Sequence, residues 1–301
     1  MPAGLSGSPI LRQDLCLVTV PAAGPATLDT LSARRIAALA HAALIAELET
    51  WPKPGLVSPI DSGSHDDMDA DLLRRSAAAI QPFFADLYAA GARGAVMADL
   101  RAIGLRAEAA MLRATGGVNA HRGAIFSLGL ICAAVGAAGE MPASAETCAA
   151  SVGARWGAEI ARVPASPTSH GGRAAQRYSV GGAGAEAAAG FPTIRAVGLP
   201  ALRLGRSRAP DDPEAARVDC FFALLAVLDD TNLLYRGGAD GLMAARAAAA
   251  SFVAAGGVAA PAWRDRAIEI HHAFVAARLS PGGCADLLAA TLFLEALAAS
   301  S

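Results

Sequence analysis

Apolar residues recur every three to four positions along most of the chain, the spacing that places them on one face of an α-helix. The clearest examples are residues 28–49 and 68–91. No run of alternating β-branched residues and no internal repeat accompanies them. The pattern therefore predicts an all-α fold, with a single globular multi-helix domain over residues 28–301 and an irregular tail at 1–27.

Turn-forming residues divide the apolar pattern into about nine or ten predicted helices. After the first two, the predicted segments are 100–117, 123–139, 146–163, 212–230, 238–256, 261–279 and 281–299. Paired glycines at Gly116 and Gly117 predict a left-handed helix end, and Pro213 suits the first turn of a helix. Residues 163–212 are rich in Pro, Gly and Arg, and they predict a looser region.

The composition favours a cytoplasmic protein over a membrane or secreted one. The hydrophobic fraction of 54% and the mean hydropathy of +0.39 owe much to alanine, a strong helix former. The apolar segment 123–139 is shorter than the ~20 residues that span a bilayer, and the apolar stretch near the N-terminus is too short for a signal peptide. The five cysteines have neither paired nor zinc-ligand spacing, so we expect reduced, packed thiols.

The charged residues exclude some partners and favour another. A net charge of −2 gives no basis for nucleic acid as a partner. The single lysine, Lys53, is not part of a Gly-Lys-Ser/Thr triplet, so a P-loop is excluded. Five aspartates lie within 61–71, and eight arginines against two glutamates lie within 155–208. If the fold brings these regions together, they suit Mg²⁺ and a polyphosphate; the alternative is an ordinary solvated surface.

The first candidate motif is KPGLVSPIDSGSHDDMD at residues 53–69. Asp66, Asp67 and Asp69 lie beside His65, and a dense acidic turn can supply the several oxygen ligands that a hard cation needs. The alternative is helix capping, because acids at the start of a helix favour its dipole. The residues alone leave both interpretations open.

The second candidate motif is TGGVNAHRGAIFSLGL at residues 115–130. Asn119, His121 and Arg122 precede a predicted helix, whose N-terminal N–H groups and positive dipole end suit phosphate. The alternative is that Asn119 or His121 only caps the helix.

The third candidate motif is LDDTNLLYRGG at residues 228–238. Asp229, Asp230 and Asn232 come at the end of a predicted apolar helix, where acids oppose the dipole. Two carboxylates there need a cation or a basic partner, and Arg236 is the candidate. The motif therefore favours a functional role.

These motifs are similar to those of a known family, the triphosphoribosyl-dephospho-CoA synthases. The matching pieces are the three motifs and the closing stretch LSPGGCADLLAATLFLEAL, in the family's order and over most of the chain. The residues of the second motif and of the closing stretch are most similar to those of the malonate decarboxylase branch, and the citrate lyase branch is the close alternative. Two positions depart from the family pattern: Ala120 replaces the usual threonine, and Arg122 replaces a common lysine.

The resemblance implies an unusual group transfer. The 5-triphosphoribosyl group of ATP would pass to the ribose 2′-hydroxyl of 3′-dephospho-CoA with release of adenine, forming the prosthetic-group precursor of an acyl-carrier subunit. Breaking the N-glycosidic bond builds positive charge at C1′, and the attacking hydroxyl needs a general base. Mg²⁺ would accompany the triphosphate, and a carrier-protein transferase would be the downstream partner.

The same resemblance implies a set of site residues. The catalytic candidates are Asp66, Asp67, Asp69 and Asp230. The candidate Mg²⁺ ligands are Asp66, Asp67, Asp229 and Asp230. The candidates for binding the substrates' phosphates and other polar groups are Lys53, His65, Asn119, His121, Arg122, Asn232 and Arg236.

Two other functions remain compatible with the residues. A Mg²⁺-dependent hydrolase of ADP-ribose-type N-glycosides would use water in place of the second nucleotide. A non-catalytic helical scaffold for the apo carrier would bind its partner and release no adenine.

Replacing Asp67 or Asp230 by asparagine is expected to lower turnover roughly tenfold or more without unfolding the protein. Positioning and a general base each contribute several kcal/mol, and ~1.4 kcal/mol is tenfold in rate. Chromatography of released adenine measures turnover, and circular dichroism checks the fold. Near-normal turnover in both variants would contradict the assignment.

Overall fold

The computed structural model describes residues 30–139, 144–163 and 169–299, which form twelve α-helices and no strand. The helices are α1 (Thr30–Leu48), α2 (Ala70–Ala92), α3 (Met97–Ala114), α4 (Arg122–Ala138), α5 (Ala145–Arg162), α6 (His170–Tyr178), α7 (Gly182–Ala188), α8 (Leu199–Arg208), α9 (Pro213–Val227), α10 (Thr231–Ala254), α11 (Trp263–Ala276) and α12 (Gly282–Ala298). The all-α prediction is confirmed, whereas the predicted tail at 1–27 lies outside the described residues.

The predicted number of nine or ten helices was too low, because residues 163–212 are more regular than their composition indicates. This stretch contains α6, α7 and α8, with a π-helical turn at Ile194–Gly198 leading into α8. The nine residues of α6 and the seven of α7 are too few to display a helical period of apolar positions. Ser169 accepts a hydrogen bond from the Gly172 N–H at the start of α6, so residues typical of loops serve here as helix ends.

The two aspartates of the third motif begin a helix instead of ending one, so that part of the sequence interpretation was wrong. α9 ends at Val227, and the chain restarts as α10 with Asp230 as its N-cap. The Asp230 carboxylate therefore lies at the favourable, positive end of a helix dipole. Asp229 forms an ion pair with Arg246 at 3.0 Å, so Arg236 is not its partner.

α4 lies at the centre of the domain and packs backbone to backbone against α2. Most of its residues are buried, as expected for a helix that is apolar on all sides. A Cβ added at Gly91 would lie 1.9 Å from the Ala133 oxygen, and one added at Gly136 would lie 2.0 Å from the Tyr88 oxygen. In the described ranges no helix is long and apolar enough to cross a bilayer.

The cysteines that the structure describes are packing residues. Each of the four is a buried, free thiol: Cys132, Cys148, Cys220 and Cys284. Burial raises the pKa of Cys148 to about 12, which disfavours the reactive thiolate. The expectation of reduced, packed thiols is confirmed for these four, and Cys16 lies outside the described residues.

Gly136→Ala is expected to lower the free energy of unfolding by about 1–3 kcal/mol, because the new methyl group would overpack the α2–α4 contact. Gly104→Ala is the matched control within α3, since no atom lies within 4 Å of its added Cβ. The control should gain about 0.5–1 kcal/mol from reduced backbone entropy. Urea denaturation measures both, and equal shifts of the same sign would refute the close-packing argument.

Candidate functional site

The loop between α1 and α2 is buried for much of its length. Residues 52–58 are all buried, although a Pro- and Gly-rich loop would ordinarily lie at the surface. At Gly55, whose φ is +68°, an added Cβ would lie 2.1 Å from the Leu279 oxygen. The Ser64 N–H donates to the Gly55 carbonyl at 3.0 Å, which closes the loop on itself. This geometry fixes the acidic turn that follows.

Lys53 is 1% exposed and forms an internal ion pair with Glu47 of α1. Its Nζ also donates to the Glu47 backbone carbonyl. Burial lowers the pKa of Lys53, and the charge of Glu47 opposes that effect. In the described structure the partner of Lys53 is thus Glu47 of the same chain. The sequence pattern did not identify this glutamate as a candidate.

His65 joins the first motif to the third. Its Nε2 lies 2.8 Å from the Ser280 Oγ, and its Nδ1 lies 3.2 Å from the Arg236 Nη2. Arg236 also donates through Nη1 to the Ser64 carbonyl at 3.0 Å. Burial and the charge of Arg236 lower the pKa of His65, so the ring is neutral near pH 7, with Nδ1 accepting from Arg236. The prediction placed both residues in one site, and the structure brings them into contact.

The three aspartates of the acidic turn make three different kinds of contact. Asp66 pairs with Arg278 at the surface. Asp69 is the N-cap of α2 and accepts a hydrogen bond from a first-turn N–H at 2.8 Å. Asp67 is exposed, and its Oδ1 lies 3.6 Å from the His65 Nδ1. Of the three, only Asp67 has neither an ion pair with an arginine nor a helix-capping hydrogen bond among the described residues.

His121 lies at the start of α4 and is buried. Its Nδ1 lies 2.7 Å from the Ser76 Oγ of α2. Burial and the nearby charge of Lys53 lower the pKa of His121 to about 4. The ring is therefore neutral near pH 7, so it could contact a phosphate as a hydrogen-bond donor and not as a cation.

The N-terminus of α4 already faces an internal carboxylate. An added Cβ at Gly123 would lie 1.9 Å from the Asp286 Oδ2, so this carboxylate occupies the space above the first turn. Burial and the charges of Asp230 and Glu47 raise the pKa of Asp286 well above its ordinary range. Asp286 belongs to the closing GGCAD stretch, and its position within that motif was the signal that could have identified it.

Asn119 and Arg122 lie at the outer side of the same helix end. The Asn119 Oδ1 accepts a hydrogen bond from the Arg122 N–H at 3.3 Å, and the Arg122 Nε lies 2.9 Å from a Glu108 carboxylate oxygen. The Arg122 side chain is 41% exposed. Its guanidinium can therefore still reach a ligand at the surface.

Asp230 connects the N-termini of α10 and α12. Its Oδ1 accepts from the Asn232 N–H at 2.8 Å, and its Oδ2 accepts from the Cys284 N–H at 2.9 Å. Burial raises the pKa of Asp230, and these backbone donors oppose the rise. Because an asparagine amide would face the Cys284 N–H, Asp230→Asn is expected to reduce stability as well as turnover, which revises the expectation from sequence. Asn232 packs beside Gly282, where an added Cβ would lie 2.6 Å from its Nδ2.

Segments from all three motifs and the closing stretch thus meet in one region. Among the described residues, no three His, Cys, Asp or Glu side chains lie close enough to hold a metal ion by themselves. Asp229 faces Arg246, on the side of α10 that contacts the end of α9. A groove of about 490 Å³ lined by Trp263, Phe252 and neighbours of α10 and α11 contains none of the candidate residues.

Comparison with known proteins identifies a single family. The chain matches the model of the CitG family, described as ATP:dephospho-CoA triphosphoribosyl transferase, over residues 33–301. It is 44% identical over 271 residues to the probable 2-(5''-triphosphoribosyl)-3'-dephosphocoenzyme-A synthase of Stutzerimonas stutzeri (strain A1501), covering 88% of this chain and 92% of that protein. It is 41% identical over 278 residues to the 2-(5''-triphosphoribosyl)-3'-dephosphocoenzyme-A synthase of Klebsiella pneumoniae, covering 88% and 96%. No solved structure matches the chain.

The buried, neutral His121 predicts a loss of stability in acid. In the unfolded chain this histidine takes up a proton near its ordinary pKa of 6.5, whereas in the folded protein it stays neutral down to about 4. The stability present above pH 6.5 is therefore lost as the pH falls towards 4. Between pH 7 and pH 5 the wild type should lose about 2 kcal/mol more than His121→Gln. Urea denaturation at both pH values measures this, and identical losses in the two proteins would show that His121 does not resist protonation.

Proposed function

We propose, because the chain belongs to the ATP:dephospho-CoA triphosphoribosyl transferase family, that it transfers the 5-triphosphoribosyl group of ATP to the ribose 2′-hydroxyl of 3′-dephospho-CoA and releases adenine. The family and the names of the relatives make the protein an enzyme of the transferase class. The observation that carries the proposal is the contact between His65 and Arg236, which joins the acidic turn to the third motif.

The acidic turn matches the needs of the reacting sugar. Loss of adenine builds positive charge at C1′, and a nearby carboxylate stabilises it. The attacking 2′-hydroxyl forms the new bond to C1′ as the bond to adenine breaks, and it loses its proton to a general base, for which we favour Asp67. The departing adenine takes up one proton, so the transfer is balanced. Its carboxylate is exposed, lies beside a neutral histidine and has no helix-capping task. Asp69 and Asp230, whose carboxylates cap α2 and α10, act by holding those helix ends in place.

Mg²⁺ fits the residues in a limited way. This ion commonly binds through substrate phosphates and one or two carboxylates, and Asp66 with Asp67 offers two exposed carboxylates on one turn. Solvent screens the surface pair of Asp66 with Arg278, so a cation could replace it. Asp229 and Asp230 are committed to Arg246 and to backbone donors. When bound, Mg²⁺ would neutralise part of the triphosphate charge.

The retained triphosphate also needs positive charge from the protein. Arg236 and Arg122 have accessible guanidinium groups, and Asn119 and His121 add neutral polar groups at the same helix end. The buried Lys53 serves the site indirectly, because its pair with Glu47 holds the loop that precedes the turn.

We assign the product to the carrier of malonate decarboxylase in preference to that of citrate lyase, because the residues of the second and closing motifs are most similar to those of the malonate decarboxylase branch. The chemical product is the same in both pathways. A carrier-protein transferase would consume it.

Purified protein incubated with ATP, Mg²⁺ and 3′-dephospho-CoA is expected to yield adenine and a heavier CoA adduct in equal amounts, and neither when one nucleotide is omitted. Chromatography with mass detection measures both products. Asp71→Asn is the matched control for Asp67→Asn, because Asp71 is an exposed aspartate of the same segment and forms a surface ion pair with Arg74. The control should retain full turnover.

The other candidate functions give different products in this assay. Adenine or ribosyl products without 3′-dephospho-CoA would show the N-glycoside hydrolase and refute the transferase. The absence of adenine under all conditions, together with tight binding of an apo carrier, would show the scaffold.

A further inference from the structure

The positive charges of three arginines from different helices act on one exposed histidine outside the motifs. The histidine is His170, at the start of α6, and the arginines are Arg122 of α4, Arg173 of α6 and Arg236 of α10. Partial burial lowers the pKa of His170, and the positive charges of these arginines add to the effect. Arg122 and Arg236 are candidates from the sequence. Arg173 and His170 lie in the arginine-rich stretch 155–208, where the sequence does not assign roles to individual residues.

Tyr235 holds His170 and Arg173 in a defined arrangement. Its ring stacks on His170 with centroids 4.1 Å apart and an angle of 10° between the planes. The Arg173 guanidinium carbon lies 5.4 Å from the centroid of the same ring, and its Nη2 lies 3.4 Å from the Tyr235 Oη. A long arginine side chain is thereby oriented without an acidic partner, which lowers the entropy lost when it binds an anion.

The positive charge of the cluster is only partly neutralised. Within the part of the chain that the structure describes, neither Arg173 nor Arg236 forms an ion pair with a carboxylate, and the first turn of α6 has no acidic residue. In the same described ranges, the carboxylate that pairs with Arg122 is that of Glu108. Guanidinium groups in this arrangement suit phosphate oxygens, to which arginine donates paired hydrogen bonds.

We propose that Arg173, Arg236, His170 and Tyr235 form a subsite for the polyphosphate chain of a nucleotide substrate. Arg173 and Arg236 donate to phosphate oxygens, and Tyr235 positions Arg173 and His170. The proposal rests on the proposed function, since both of its substrates contain a polyphosphate: the triphosphate of ATP and the diphosphate of 3′-dephospho-CoA. Arg236 also contacts His65 of the acidic turn. A polyphosphate bound by Arg236 would therefore lie next to that turn.

The subsite is tested by Arg173→Gln with Arg177→Gln as its matched control. Both arginines are exposed on α6; the Arg177 guanidinium packs over the Tyr178 ring, whereas that of Arg173 packs over Tyr235. Calorimetric titration with inorganic tripolyphosphate, without any nucleotide, measures binding directly. Arg173→Gln should bind roughly tenfold more weakly than wild type, Arg173→Lys should recover part of the loss, and Arg177→Gln should bind as the wild type does.

Steady-state kinetics then identify the source of the polyphosphate. A raised KM for ATP with little change in kcat assigns the subsite to the triphosphate, and a raised KM for 3′-dephospho-CoA assigns it to the diphosphate. Equal tripolyphosphate binding by Arg173→Gln and Arg177→Gln, or no binding by the wild type, would overturn the subsite. If the wild type binds tripolyphosphate through Arg173 but forms no CoA adduct, the proposed transfer fails and the subsite remains.

Discussion

The buried ion pair between Lys53 and Glu47 is the constraint on which the site depends. Leaving either charge buried without its partner costs about 3–5 kcal/mol, so the loop that carries Lys53 must return to the end of α1. The Lys53 carbonyl also lies 3.0 Å from the Nδ1 of the buried His271. The loop is thus held between α1 and α11, and the acidic turn leaves it at a fixed point.

Carboxylates of the chain itself occupy several helix N-termini around the site. Asp69 caps α2, Asp230 caps α10, and Asp286 lies against the first turn of α4. These helix ends are therefore already occupied by carboxyl groups of the chain itself. In the proposed site, binding of a phosphorylated ligand falls instead to arginine side chains, since the one lysine is buried in its pair with Glu47.

Small residues make this arrangement possible. The absence of a side chain at Gly123 leaves room for the Asp286 carboxylate, and Gly91 and Gly136 let α2 and α4 approach closely. Because α2 contributes Ser76 and α4 begins at His121, this approach sets the 2.7 Å contact between them. The geometry of the candidate site therefore depends directly on the packing of the core.

The sequence by itself determined the helical class, nine of the twelve helices of the described residues and the segments of the candidate site, because the amphipathic period and the motif residues are local properties. Tertiary structure decided the rest. It showed α6 to α8, which are too short to display a helical period of apolar residues. It also showed that Asp230 begins α10, whereas the sequence predicted that it ends the preceding helix. It also selected Glu47, Asp286, His170 and Arg173, since the partner of a charge depends on which helices pack together, and spacing along the chain does not record that.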